Sequence, residues 1–310
     1  MNGNNNAKDR RWLGNLLLIL TAMIWGTAFA FQREGMDHIG PMTFAAARMA
    51  LAAVAVGIVA LLAGRGKSAE LPAAERTRRR RDTLIGGVCC GAFLATASVA
   101  QQMGLVTTTA GKAGFITAMY MLLVPVIGFV LFRRMNTWLV WVAVLIGVAG
   151  MYLLCVTEDF SLTRGDALVC LCAVLFSGHI LCCDHFATRG DPLGISAIQS
   201  AVAMVICTVA AFALERPSWE AVASAAVPIL YCGLMSGGVG YTLQIVAQRH
   251  TEPTVASLLM SLESVFAVVA GALLLGERLS ARELTGCAVM FLASVLVQAP
   301  LPGRRGGERA

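Results

Sequence analysis

The chain has 310 residues, of which 57% are hydrophobic and only 14% are charged, and its mean hydropathy is +0.73. About a quarter of the residues in a soluble domain are charged, so this composition excludes an ordinary soluble protein and indicates a polytopic protein of the lipid bilayer. The net charge of +6 does not indicate a nucleic-acid partner, because basic residues in such proteins concentrate in the loops beside membrane segments.

Ten apolar segments follow one another along the chain, and each is about as long as the 17 to 25 residues that a membrane-spanning helix needs. Residues 1–11 are polar and lack the cleavage pattern of a signal peptide, so we expect the first segment to remain as a helix. The segments are predicted at residues 12–32, 41–63, 83–103, 112–132, 137–155, 166–186, 193–213, 226–246, 253–275 and 283–299.

The distribution of lysine and arginine predicts that both termini, residues 1–11 and 300–310, are cytoplasmic tails. With that orientation, seventeen basic residues lie in cytoplasmic stretches and six lie in outside loops, as the positive-inside rule requires. We interpret the run ERTRRRR at residues 75–81 as a topology anchor. Binding of an anionic lipid or of nucleic acid is the alternative interpretation of that run.

The chain also contains a weak internal repeat, which divides it into five-helix halves at residues 12–155 and 156–299. The alignment of the halves places Trp25 on Phe176. An odd number of helices per half makes the second half enter the membrane upside down, which gives an inverted repeat. Secondary transporters often have this construction, with the substrate site near the midplane between the repeats.

Five sequence patterns carry a resemblance to a known family. They are AMIWGTAFAF in the first segment, PMTFAAARMALAAV in the second, GLVTTTAGKAGFI before the fourth, Pro125 within the fourth, and SLESVFAVVAGALLLGERLS in the ninth. With these patterns in this order, the chain resembles the EamA-type branch of the drug/metabolite transporter superfamily. The resemblance implies an all-α secondary carrier of ten helices, commonly an inner-membrane exporter of amino acids or related metabolites.

Two departures from the family pattern affect the ninth and fourth segments. The chain has Glu263-Ser264 where family members often have Glu-Pro, so we expect a straighter ninth helix. The junction after the fourth segment has the sequence FRRMN, where a Gly-Glu-Arg pattern is common.

Glu263 is the strongest candidate for a functional residue, because a charged residue near the middle of a membrane segment is costly and must face protein or a wet cavity. Its carboxylate could bind a substrate ammonium or couple transport to protons. Alternatively, it holds a neighbouring helix through a hydrogen bond. The resemblance favours a shared mechanical role, since family members commonly have a glutamate at this position whatever their substrate.

Other polar and aromatic residues within the segments are further candidates for the substrate cavity. Trp25 is either a cavity wall or a packing residue, and Lys112 is either a gate or an interfacial lysine. For Arg48 we favour a structural or gating role over contact with a substrate carboxylate. The remaining cavity candidates are Gln102 with its neighbour Gln101, Tyr120, His179, Tyr241 and Gln244, and Pro125 is assigned a structural role.

The sixth segment contains the sequence SGHILCCDHF, whose histidines, cysteines and aspartate suggest a metal site as an alternative. Metal ligation requires side chains that converge on one point, and from this helix only His179 and Cys183 share a face. We therefore predict no metal and no cofactor. The ten cysteines of the chain lie within or beside apolar segments, where we expect reduced, packed side chains.

Taken together, the sequence predicts a secondary transporter and not an enzyme. It moves a small amphipathic metabolite by alternating access, through a cavity lined by segments one, three, four, six, eight and nine. Two rival functions are a membrane-embedded metal-dependent enzyme that uses the sixth segment, and a receptor or scaffold that transports nothing. Export and uptake, proton-coupled and facilitated movement, and any oligomeric state are all compatible with these residues.

Overall fold

The computed structural model of the protein describes residues 2–67, 72–108, 110–155, 163–275 and 280–298, and within these ranges it contains helices and no strand. Nine of the described helical stretches are long and apolar enough to cross a membrane. A tenth apolar helix, Trp138–Leu153, is shorter. All ten predicted segments therefore coincide with helix in the described part of the chain.

Within the described residues, the first half of the chain contains six helices for its five apolar segments, because the fourth segment is divided into two helices. They are α1 (Asn2–Met36), α2 (Pro41–Lys67), α3 (Ala73–Leu105), α4 (Ala110–Ala118), α5 (Tyr120–Phe132) and α6 (Trp138–Cys155). The first helix extends to Asn2, ten residues before the predicted start of its apolar segment.

In its described residues, 163–275 and 280–298, the second half contains eight α-helices and one π-helix. They are α7 (Arg164–Ala187), α8 (Pro192–Leu214), α9 (Trp219–Ser224), α10 (Ala226–Leu230), a π-helix (Tyr231–Gly240), α11 (Tyr241–Gln248), α12 (Pro253–Met260), α13 (Glu263–Leu275) and α14 (Ala281–Gln298). The eighth apolar segment thus comprises α10, the π-helix and α11.

The fourth and ninth segments are both interrupted near their middle. Pro125 lies inside α5, where it has no N–H to donate to the Met121 carbonyl four residues earlier. The break at Met119 lies before that position, where Met119 N–H donates to the Ile116 carbonyl and Leu122 N–H donates to the Met119 carbonyl. The ninth segment has no proline near its break at Ser261 and Leu262, but Ser261 donates its hydroxyl to the Leu258 carbonyl in competition with the helix. The expectation of a straighter ninth helix is therefore wrong.

The helices pair in a pattern that is the same when the two halves are exchanged. Helices α2 and α8 pack against each other, and so do α6 and α14. Helix α3 packs against α7, and correspondingly the segment from α10 to α11 packs against α1. Helices α4 and α5 contact α7, as α12 and α13 contact α1. This is the pattern expected of two inverted units of five segments each.

The first and last described helices meet at one end of the bundle, where Asn15 donates a hydrogen bond to Gln298 over 2.9 Å. The turn after α5 lies at this same end. Arg133 adopts a left-handed conformation there, with φ of 52°, at the helix-ending position that usually has glycine. The next residue, Arg134, pairs with Asp184 of α7 over 2.7 Å.

Candidate functional site

A small cavity lies between the two halves of the bundle. Its volume is about 40 Å³, enough for a few water molecules and too little for an amino acid. Its aromatic and aliphatic lining residues are Trp25, Phe29, Phe176 and Ile180. Its polar lining residues are Gln32, Arg48, Gln101, Thr117, Tyr120, His179, Ser236, Tyr241, Gln244 and Glu263. All six predicted segments contribute to the cavity, and α2 adds Arg48.

Glu263 is the first residue of α13, directly after the interruption of the ninth segment, and only 5% of it is exposed. Tyr120, the first residue after the interruption of the fourth segment, donates its hydroxyl to the carboxylate over 3.0 Å. Among the described residues, this is the one hydrogen bond of the Glu263 side chain. Gly26 of α1 contacts the Glu263 backbone so closely that a Cβ there would lie 2.5 Å from the Glu263 carbonyl oxygen. Glu263 is thus held by contacts with two other segments, the first at its backbone and the fourth at its carboxylate.

Arg48 is the cation of the cavity, and 4% of it is exposed. Its guanidinium donates one hydrogen bond, to the Gln32 side-chain oxygen over 3.3 Å, and its buried Nε has no partner in the described part of the structure. No described carboxylate forms an ion pair with it. A buried guanidinium without an acidic partner is costly, so a ligand that supplies an anionic group would be favoured at this position.

Trp25 forms one wall of the cavity and is fixed by the π-helix. Its indole Nε1 donates to the Ser236 carbonyl over 3.2 Å, and its ring packs against Tyr241 with centroids 4.8 Å apart. Gly240 permits this crossing, since a Cβ there would come within 2.5 Å of the indole nitrogen. A π-helix in the middle of a segment is frequently associated with a functional site.

His179 faces the cavity from α7 in an edge-on contact with the Tyr241 ring, at a centroid distance of 5.7 Å. Its Nε2 lies 3.0 Å from the Gln199 side-chain oxygen and 3.5 Å from the Cys183 sulfur. Two other polar residues of the SGHILCCDHF sequence have partners elsewhere, since Asp184 pairs with Arg134 and His185 contacts Arg189. No group of three or more histidine, cysteine, aspartate or glutamate residues suited to a metal is found in the described ranges.

The structure brings most of the predicted cavity residues together. The residues among them that line the cavity are Trp25, Tyr120, His179, Tyr241, Gln244 and Glu263. Gln102 is buried outside the lining, and its neighbour Gln101 lines the cavity instead, donating to Thr117 over 3.2 Å. Lys112 belongs to α4, but its side chain is outside the described part of the structure. Pro125 is buried in α5 and does not line the cavity.

Several lining residues were not predicted from the sequence. They are Phe29, Gln32, Thr117, Ile180 and Ser236. Gln32 could have been found, because a glutamine at the end of an apolar segment must bond to another helix or to water. Ser236 contributes its backbone carbonyl, for which a sequence gives no signal.

The profile of the EamA-like transporter family matches residues 12–156 and, a second time, residues 163–298. These matches span most of the chain, which therefore belongs to this family. It is a multi-pass membrane protein, and its family and apolar helices place it in the inner membrane.

Three curated relatives are named as transporters. The chain is 26% identical over 289 residues to an uncharacterized transporter of Archaeoglobus fulgidus, covering 93% of this chain and 86% of that protein. It is 25% identical to a probable terminal-alkyne amino-acid exporter of Streptantibioticus cattleyicolor, covering 93% and 94%. It is 24% identical to the uncharacterized transporter YwfM of Bacillus subtilis, covering 96% and 97%. A crystal structure with 17% identity has the same fold, with a TM-score of 0.74 and coverage of 92% and 96%.

Proposed function

We propose that the protein exports a zwitterionic amphipathic metabolite, most simply an amino acid, by alternating access between two inverted five-helix repeats. The observation that supports this best is the content of the cavity, which among the described residues has one buried cation, Arg48, and one buried carboxylate, Glu263, beside aromatic walls. An α-amino acid carries the two opposite charges and an apolar side chain that such a cavity complements.

In this proposal, Arg48 binds the substrate carboxylate and Glu263 binds the substrate ammonium. Guanidinium groups match carboxylates because their planar donors can form two parallel hydrogen bonds. Trp25 and Tyr241 pack against the substrate side chain. The cavity has room for only a few water molecules in this structure, so the two halves must move apart for a substrate to enter.

Glu263 also gives the proposal a coupling mechanism. Its carboxylate can hold a proton or bind the ammonium of the substrate, but not both at once. If proton and substrate compete for this one group, proton entry drives substrate exit. The relative named as an amino-acid exporter and the two family matches support the substrate class and the repeats. The charge distribution supports an orientation with both termini in the cytoplasm.

The test uses purified protein in sealed liposomes with a panel of radiolabelled amino acids, with and without an imposed pH gradient. We expect saturable flux that the gradient accelerates. Glu263→Gln keeps the shape of the side chain and removes its charge, so it should reduce flux at least tenfold and abolish the response to the gradient. The matched control is Glu220→Gln, because Glu220 is an exposed glutamate of α9 outside the cavity.

The outcomes separate the proposal from its rivals. Saturable flux that ignores the gradient, in wild type and Glu263→Gln alike, would assign Glu263 a structural role and make the protein a facilitator. No flux of any amino acid from folded protein would contradict the amino-acid proposal. Metal bound in stoichiometric amount together with that result would favour the enzyme that uses the sixth segment.

A further inference from the structure

A second concave site lies away from the cavity, at the end of the bundle where Asn15 of α1 contacts Gln298 of α14. It is a groove of about 620 Å³ that α3, the α7–α8 turn and the end of α11 line together. Four of its eight lining residues are arginines, Arg78, Arg79, Arg189 and Arg249, and its one acidic residue is Glu75. The groove therefore carries a net charge of about +3, from side chains that are far apart in sequence.

The position of these arginines relative to the apolar helices indicates where the groove lies along the membrane normal. Arg189 is two residues after the membrane-spanning stretch that ends at Ala187, and Arg249 comes directly after the stretch that ends at Gln248. Arg78 and Arg79 lie at the start of α3, before its apolar part. Residues at the ends of membrane-spanning helices lie at the level of the lipid headgroups, so the groove opens where phosphate groups are concentrated.

The existing contacts of the arginines leave their guanidinium groups available. Arg79 contacts Asp191 over 3.3 Å and Arg78 lies 3.9 Å from Asp82, but both arginine side chains are more than a third exposed. Such exposed pairs contribute little free energy and exchange readily with other anions. Arg189 contacts the ring of His185, which carries no negative charge, and among the described residues Arg249 forms no ion pair.

We propose that this groove is a binding site for the phosphate headgroup of an anionic phospholipid. Guanidinium groups recognise phosphate through paired hydrogen bonds, and four of them around one concave surface can bind a headgroup whose acyl chains lie along the apolar surface of α3. Binding here joins the first half, through α3, to the second half, through α7 and α11. This site is independent of the transported substrate and of Glu263.

The test measures lipid retention by the whole protein. Protein purified in a mild detergent is mixed with equal amounts of phosphatidylglycerol and phosphatidylcholine, and native mass spectrometry counts the molecules of each that remain bound. We expect wild type to retain phosphatidylglycerol preferentially. Arg189→Gln with Arg249→Gln should reduce that retention at least fivefold and leave phosphatidylcholine unchanged.

The basic run at residues 75–81 offers a matched control. Arg80→Gln with Arg81→Gln removes the same charge from α3 without touching the groove lining, and it should retain phosphatidylglycerol as wild type does. The single substitution Arg249→Gln, at an exposed residue, should still reduce retention if the double variant does not fold.

Three results would overturn the proposal. Equal loss in both double variants would mean that the lipid responds to diffuse surface charge. Unchanged retention in folded Arg249→Gln and in the double variant would mean that the groove binds no lipid. Displacement of the lipid by millimolar inorganic phosphate would mean a site for free phosphate, since a lipid anchored by its chains resists such competition.

Discussion

Two pairs of opposite charges inside the bundle are arranged in contrasting ways. Arg134 and Asp184 are in direct contact over 2.7 Å. Arg48 and Glu263 line one cavity, but each is bonded to a neutral partner, Arg48 to Gln32 and Glu263 to Tyr120.

The difference indicates which pair is structural. The direct pair compensates its two charges, although Asp184 Oδ1 has no partner in the described part of the structure, and removing either residue costs stability. A separated pair leaves both charges with unused hydrogen-bonding capacity, which is costly for the fold and useful for a ligand that carries the opposite charges. Stability and transport should therefore respond in opposite ways to substitutions in the two pairs.

The largest effect on transport should come from Arg48→Met. Because Arg48 has no ionic partner among the described residues, its removal should leave the thermal unfolding midpoint unchanged or raise it. Flux of a zwitterionic amino acid should fall at least tenfold, while Arg48→Lys keeps part of it. Liposome flux and thermal unfolding in detergent measure the two quantities. If Arg48→Met transports normally but has a lower thermal unfolding midpoint, Arg48 has the structural role that the sequence favoured.

Asp184→Asn should lower stability and leave transport nearly unchanged. The substitution removes a charge-assisted hydrogen bond to a half-exposed arginine, which costs about 1–3 kcal/mol of stability. The thermal midpoint should fall, and the KM for the substrate should stay within twofold of wild type. Adding Arg134→Gln should lower the free energy of unfolding little further, because the two residues share one interaction. An additive loss in the double variant would show that the pair is not coupled.

The smallest change in free energy should come from Tyr120→Phe. It removes the one hydrogen bond to the Glu263 carboxylate, worth about 1 kcal/mol, so flux should fall about fivefold with little change in stability. The matched control is Tyr241→Phe, which alters a second tyrosine of the cavity that does not bond to Glu263. Equal losses in both variants would argue against a specific role for the Tyr120 hydroxyl.

Helix positions were predictable from the sequence because hydrophobic runs long enough to cross a membrane have few alternative structures. The interruptions inside the segments were less predictable. Pro125 predicts a missing hydrogen bond within the fourth segment, since proline lacks an N–H, but it does not predict the break at Met119. The break before Glu263 and the π-helix Tyr231–Gly240 depend on packing and on competing side-chain bonds, which hydrophobicity does not record.

The cavity residues were predictable as a group but not individually. Successive residues of a helix point about 100° apart, so choosing between Gln101 and Gln102 requires the orientation of α3 about its axis. That orientation is set by contacts with α7 and α8. The hydrogen bond of Arg48 likewise depends on Gln32 of α1, so the sequence alone could not show that Arg48 has a neutral partner.

The position of Trp25 also allows its intrinsic fluorescence to report on the cavity. Of the five tryptophans, Trp25 alone lines the cavity within the described structure, and its indole hydrogen bond and Tyr241 contact make its emission sensitive to local polarity. Trp12, Trp138 and Trp219 are exposed, and Trp141 lies on α6. Replacing these four with phenylalanine leaves a single fluorophore whose spectrum follows the hydration of the cavity in real time, without an added label.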